Sequence, residues 1–214
     1  MSKNKDFLKT VDSRCWSLGE LFHNKFSVDF YQREYVWERK QLEDLINDLS
    51  NAFLACWVEG DQTQNVKTYD PYFMGEIVIS DIGSDTGSII DGQQRITTFT
   101  LLLIYILHKF KNKVEDLPIS ELQNAVYSND YGLPKFNLDI DDRKECMYGL
   151  FKNGTYESNG EDKFHTQNLI DRYNDIEDCW NDRINPINIS CFAYWILGKV
   201  FSRKWSQIVM NSHM

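Results

Sequence analysis

The chain has 214 residues, 42% of them hydrophobic and 26% charged, with 23 Lys and Arg against 32 Asp and Glu for a net charge of −9. That balance is one of a globular protein long enough to bury a sizeable core. It makes the chain a poor non-specific nucleic-acid binder, because neutralising phosphates needs a surplus of Lys and Arg. Any DNA contact must come from a local basic patch, a partner or a missing C-terminal domain.

In chain order, Ser17-Leu18-Gly19-Glu20 fits a capping box opening a short helix. Phe26 to Phe30 alternates apolar and polar and reads as a strand. Tyr31-Gln32-Arg33-Glu34-Tyr35-Val36-Trp37 follows, and then a helix from about Glu38 to Trp57. Its Leu42, Leu45, Ile46, Leu49 and Phe53 fall at helical spacing, and Glu38, Glu43 and Asp44 form a solvated face. Tyr72 to Ile79 is a strand in which Gly75 marks a close backbone approach. The connector Ser80 to Gly87 is turn-rich, and Ser88 to Asp91 completes a hairpin. The helix after Arg95 runs to about Lys111 and is apolar nearly all round, which marks it as central and buried.

Asp116-Leu117-Pro118 reads as a boundary, dividing a mixed α/β domain over 14–113 from a mostly helical region over 114–214. The second region holds helical patterns over about Glu121–Tyr127, Asp141–Phe151 and His165–Ile184, with a short strand near Lys135–Leu138. Trp180 belongs to a helix-packing stripe, and Ile189 to Phe201 suits a strand or a helix equally.

The five cysteines lack a C-x-x-C pair and read as reduced, buried small hydrophobes of a cytoplasmic protein. The four histidines have no zinc-ligand spacing and no His-Asn-His nuclease pattern, and His165 reads as inert. The longest apolar stretch, Phe99 to Leu107, falls short of the roughly 20 residues a membrane helix needs, so no membrane is expected as partner.

The segment Asp91-Gly92-Gln93-Gln94-Arg95 stands between an apolar strand and the apolar helix. A helix N-terminus attracts anions because its first N–H groups lack partners and its dipole is positive there. Gly92 lets a phosphate approach the backbone, and Arg95 in the first turn can add a bidentate clamp. The plain alternative is a turn capping the helix, with Arg95 in a surface ion pair.

Three segments carry a family resemblance: Tyr31-Gln32-Arg33-Glu34-Tyr35-Val36-Trp37, Phe73-Met74-Gly75-Glu76-Ile77-Val78-Ile79, and Ile90-Asp91-Gly92-Gln93-Gln94-Arg95-Ile96-Thr97-Thr98. They resemble the Y-Q-R-x-Y-x-W, F-x-G-x-I-V and I-D-G-Q-Q-R-x-T-T elements of the N-terminal domain of GmrSD-type, modification-dependent restriction systems. The resemblance spans Tyr31 to Leu107 and continues more weakly through Asn137–Leu150 and Asn168–Trp180. It implies a ParB/sulfiredoxin-like fold and a nucleotide-binding, nucleotide-hydrolysing module of bacterial anti-phage defence that gates a nuclease domain or subunit. Against that family's pattern the chain reads as truncated at Met214, so DNA cleavage by this chain alone is not expected.

On this reading Gly92, Gln93 and Gln94 surround the phosphates of a nucleoside triphosphate, and Arg95 neutralises charge building on the phosphoryl oxygens. Asp91 either holds Mg²⁺ or orients the attacking water. Gln93 or Gln94 positions that water or touches the base, and Thr97 or Thr98 adds a hydroxyl. Gln32 and Arg33 reach the same mouth if their strand neighbours the second hairpin strand. Helix threonines more often bond back to the previous turn, and Tyr35 and Trp37 read as core anchors. No G-x-x-x-x-G-K-[ST] segment occurs, which excludes a Walker ATPase. The alternative function is a non-catalytic, ParB-like nucleotide or DNA adaptor. A sulfiredoxin-like redox enzyme is discounted, since Gln93 and Gln94 stand where a cysteine is wanted.

Overall fold

The computed structural model describes residues 10–28, 34–81, 87–130, 133–158, 160 and 163–208. The fold is mixed α/β, built on a six-stranded sheet and a separate two-stranded hairpin. The chain opens with β1 (Thr10–Ser17), α1 (Leu18–Phe22) and β2 (Phe26–Val28). The expected capping box forms: Glu20 N donates to Ser17 Oγ at 3.2 Å and Ser17 N donates to a Glu20 carboxylate oxygen at 2.8 Å. These bonds, the backbone one foremost, hold the Glu20 carboxyl below its ordinary pKa. The long amphipathic helix α2 (Arg39–Cys56) buries Leu42, Leu45, Ile46, Leu49 and Phe53 as the spacing predicts.

The hairpin β3 (Tyr72–Asp81) and β4 (Gly87–Asp91) is antiparallel, and β4 leads into α3 (Gln93–Phe110). Nearly every side chain of α3 from Ile96 onward is buried, so this helix is the core's central rod. Beyond it come α4 (Ile119–Val126), the two-stranded hairpin of β5 (Tyr127–Asp130) and β6 (Leu133–Phe136), and the short β7 (Leu138–Asp139). Then follow a 3-10 turn Asp141–Arg143, α5 (Lys144–Asn153), α6 (Lys163–Cys179), α7 (Ile189–Lys199) and β8 (Val200–Ile208). Gly154, in the left-handed region at φ 75°, ends α5 as the Asn153-Gly154 pair predicts.

The sheet order is β1-β8-β3-β4-β2-β7. Its strands come from both sides of residue 113, with β8 inserted between β1 and β3. Local periodicity does not anticipate β1 or β8, because their pairing is with segments far away in the chain. The apolar run Ile189–Phe201, open to either reading, is helix up to Lys199 and strand from Val200. Helix α6 stops at Cys179, short of the expected Ile184. There Trp180 Nε1 donates to Ile184 O at 2.8 Å, and Pro186 bars further helix. Trp180 packs on Tyr105, Phe110 and Phe192, the packing role expected of it. All five cysteines are free, but only Cys146 and Cys191 are buried; Cys15, on edge strand β1, is exposed, contrary to expectation. No helix among the described residues is long and apolar enough to cross a membrane.

Candidate functional site

Strand β2 runs parallel to both β4 and β7, so three carboxyl ends open at one edge. In sheets of this kind ligands lodge outside the carboxyl ends of the strands. From β4 emerge Asp91 and Gly92; from β7 emerge Ile140 and the turn to Arg143. Strand β2 pairs directly with β4. Gln32 and Arg33 lie outside the described residues. The chain resumes at Glu34, and β3, antiparallel to β4, begins at the same edge.

Gly92 is the N-cap of α3 at φ 98°, and a Cβ there would sit 2.8 Å from Ile77 Cγ1. Only glycine suits that conformation and that approach. The cap has no side chain, so the first-turn amides of Gln93, Gln94 and Arg95 are left for another acceptor. Asp91 precedes them with its side chain 69% exposed, its Oδ2 3.8 Å from Arg95 Nη2.

Arg95 is committed mainly to backbone. Its Nη1 donates to Met74 O at 2.8 Å and its Nη2 to Glu76 O at 2.6 Å. Between them Gly75 O accepts from Ser202 Oγ at 2.7 Å. These three carbonyls belong to a bulge where the β3–β8 register shifts. Gly75 has φ 103°, and a Cβ on it would collide with Arg95 Nη1, which is the close approach this glycine signals in the sequence.

Gln94 makes a second tie. Its Oε1 accepts from Val36 N at 2.9 Å and its Nε2 donates to Glu34 O at 2.8 Å. From the other side Asn168 Nδ2 donates to Tyr35 O at 2.5 Å and Trp37 O at 3.2 Å. Segment 34–37 is thus clamped between α3 and α6. Tyr35 is a core residue, as expected, and its hydroxyl pairs with Thr98 Oγ1 at 2.8 Å; burial pushes the phenol up to about 12. Thr98 also donates back to Gln94 O at 2.8 Å, the ordinary helical bond.

Thr97 is different: its Oγ1 accepts from Arg143 Nη1 at 3.5 Å. Arg143 is only 3% exposed, and its Nη2 has no partner among the described residues. Gln93, one helical turn before Thr97 on the same face, carries a buried Oε1 that also lacks a partner. Sequence reading missed Arg143, because Asp141-Asp142-Arg143-Lys144 has the look of a solvated charge run.

Among the described residues no three His, Cys, Asp or Glu side chains gather as a metal cluster. A Mg²⁺ ion at Asp91 would therefore draw its other ligands from phosphate and water, the usual arrangement for this ion. No curated protein matches the chain. The family described as GmrSD restriction endonuclease, N-terminal domain, matches residues 18–208. The chain belongs to that family, and with it to the restriction systems directed against phage.

Proposed function

We propose that the chain binds a nucleoside triphosphate at the carboxyl ends of β2, β4 and β7 and hydrolyses it, and that the nucleotide state gates a nuclease domain or partner subunit. The supporting observation is the uncapped first turn of α3 at the meeting point of three parallel strand ends. Amides there receive phosphate oxygens, and Gly92 allows the approach. The finer fold likeness, ParB/sulfiredoxin-like, is part of this proposal.

Asp91, exposed at the strand end, holds Mg²⁺ or orients the attacking water. Asp91 would hold the ion, which would supply Lewis-acid neutralisation of phosphoryl charge. Gln93, with its unpaired Oε1, is the better placed of the two glutamines to meet water or base, since the Gln94 amide is engaged by Glu34 and Val36. Arg95 holds the β3 bulge and flanks Asp91, so its contribution runs through the shape of the mouth as well as its charge. Thr97 and Thr98 act as supports for Arg143 and Tyr35.

The test is phosphate release from ATP, GTP, CTP and UTP with Mg²⁺, wild type beside Arg95→Ala and Asp91→Asn. Release by wild type and none by either variant is expected. Unchanged release by Arg95→Ala would sink the assignment. Nucleotide binding without release selects the adaptor reading, in which Gln94 and Arg95 keep their backbone contacts and shape the mouth without turnover.

A further inference from the structure

Arg143 is a charged group in the wrong surroundings for a structural one. A guanidinium stays protonated at any physiological pH, so burial cannot be relieved by losing the proton. Its one hydrogen bond runs to a neutral hydroxyl at 3.5 Å, and its Nη2 has no partner among the described residues. No carboxylate among them stands within ion-pair distance; Asp142 and Glu34 act on it only through space. Burial pulls its pKa down to about 10, against the opposing effect of Tyr35 and the more distant Asp142 and Glu34. An uncompensated buried charge is strongly destabilising, whereas a completed pair is close to neutral.

We propose that Arg143 is the resident cation of the crevice, taking an anionic phosphate group jointly with the uncapped first-turn amides of α3. The site follows from topology: Arg143 leaves β7 as Asp91-Gly92 leaves β4, and Thr97 links it to the second turn of that helix. The cavity beside Arg143, lined by the apolar Phe136, Leu138, Ile140 and Met147 as well as Thr97, Thr100 and Lys144, is about 10 Å³, room for one water and no phosphate, so the anion has to meet the guanidinium from the first turn of α3 and not inside this cavity. That the anion belongs to a nucleoside triphosphate rests on the function proposed above; the demand for an anion does not.

The experiment measures ligand-free Tm and Kd for the full chain as wild type, Arg143→Met and Arg143→Lys. The probes are the four nucleoside triphosphates and inorganic tripolyphosphate. Met fills a similar volume without charge, so the ligand-free Tm of Arg143→Met should equal or exceed that of wild type. Its Kd should weaken roughly 10- to 100-fold, the worth of a charge-assisted contact, with Arg143→Lys between. A lower ligand-free Tm in Arg143→Met, or a Kd within about twofold of wild type in both variants, overturns the proposal. Wild-type binding of tripolyphosphate but of no nucleotide supports Arg143 and overturns the nucleotide reading; binding of neither overturns both.

Discussion

The two ends of α3 make opposite use of a buried-edge cation. At the C-terminal end Lys109 Nζ donates to Glu177 Oε1 at 3.0 Å and to the Tyr105 hydroxyl at 2.6 Å, and Tyr105 donates in turn to Glu177. The ammonium also lies over the Trp180 ring, 5.4 Å from its centroid. Every charge there has an opposite charge or a donor, and the Tyr105 bond leads the lowering of the Glu177 pKa. At the N-terminal end Arg143 has one long bond to a neutral oxygen, and Gln93 Oε1 has none among the described residues. The first arrangement closes a packing contact between α3 and α6; the second leaves its polar atoms unmet among the described residues. The same helix therefore separates a structural ion pair from a candidate site by satisfaction of its polar atoms, not by their number.

The largest way to break the contrast is Gly75→Ala. It forces an L side chain into φ 103° and onto Arg95 Nη1, so a loss of about 3 kcal/mol is expected, with nucleotide binding lost as the bulge and α3 part. Chemical denaturation and a binding titration on the same sample check both. Thr97→Val removes the one described acceptor of Arg143 and should cost about 1–3 kcal/mol without ligand, and less once phosphate is bound. Tyr105→Phe, at the satisfied end, should cost about 1 kcal/mol and leave nucleotide Kd unchanged; a shift in Kd would mean that the two ends are coupled. Tyr35→Phe should cost about 1 kcal/mol or less at pH 8. Burial raises the Tyr35 and Tyr173 phenols to about 12, so their protonated forms stabilise the fold below pH 10, and that stability drains as pH climbs through 12. Melting curves between pH 8 and 12 should accordingly fall less steeply for Tyr35→Phe than for wild type.

Helices α2 and α3 and the β3–β4 hairpin are legible in the sequence because burial imposes its period on neighbouring residues. Gly75 and Gly92 are legible for a related reason: a glycine within or just after a strand reports a backbone that tolerates no Cβ. Gln94 is not. Its side-chain amide imitates a strand backbone toward Glu34 and Val36, a partnership that spacing along the chain cannot announce. Arg143 hides for the opposite reason, since three charged neighbours make a buried guanidinium look solvated. The place of β8 depends on contacts with residues some 190 and 130 positions earlier, beyond any local pattern.

That insertion of β8 sets the order in which the molecule can be made. During synthesis β1 emerges first, yet its sheet partner is not translated until residues 200–208. Until then β1 and one edge of β3 both expose unpaired backbone, the state in which nascent chains are most open to chaperones and to aggregation. Because Ser202 in the same strand also binds Gly75 O, the bulge that carries Arg95 is completed only by the last strand. The crevice is thus assembled after translation of the whole sheet, which ties competence to bind to the arrival of the final strand.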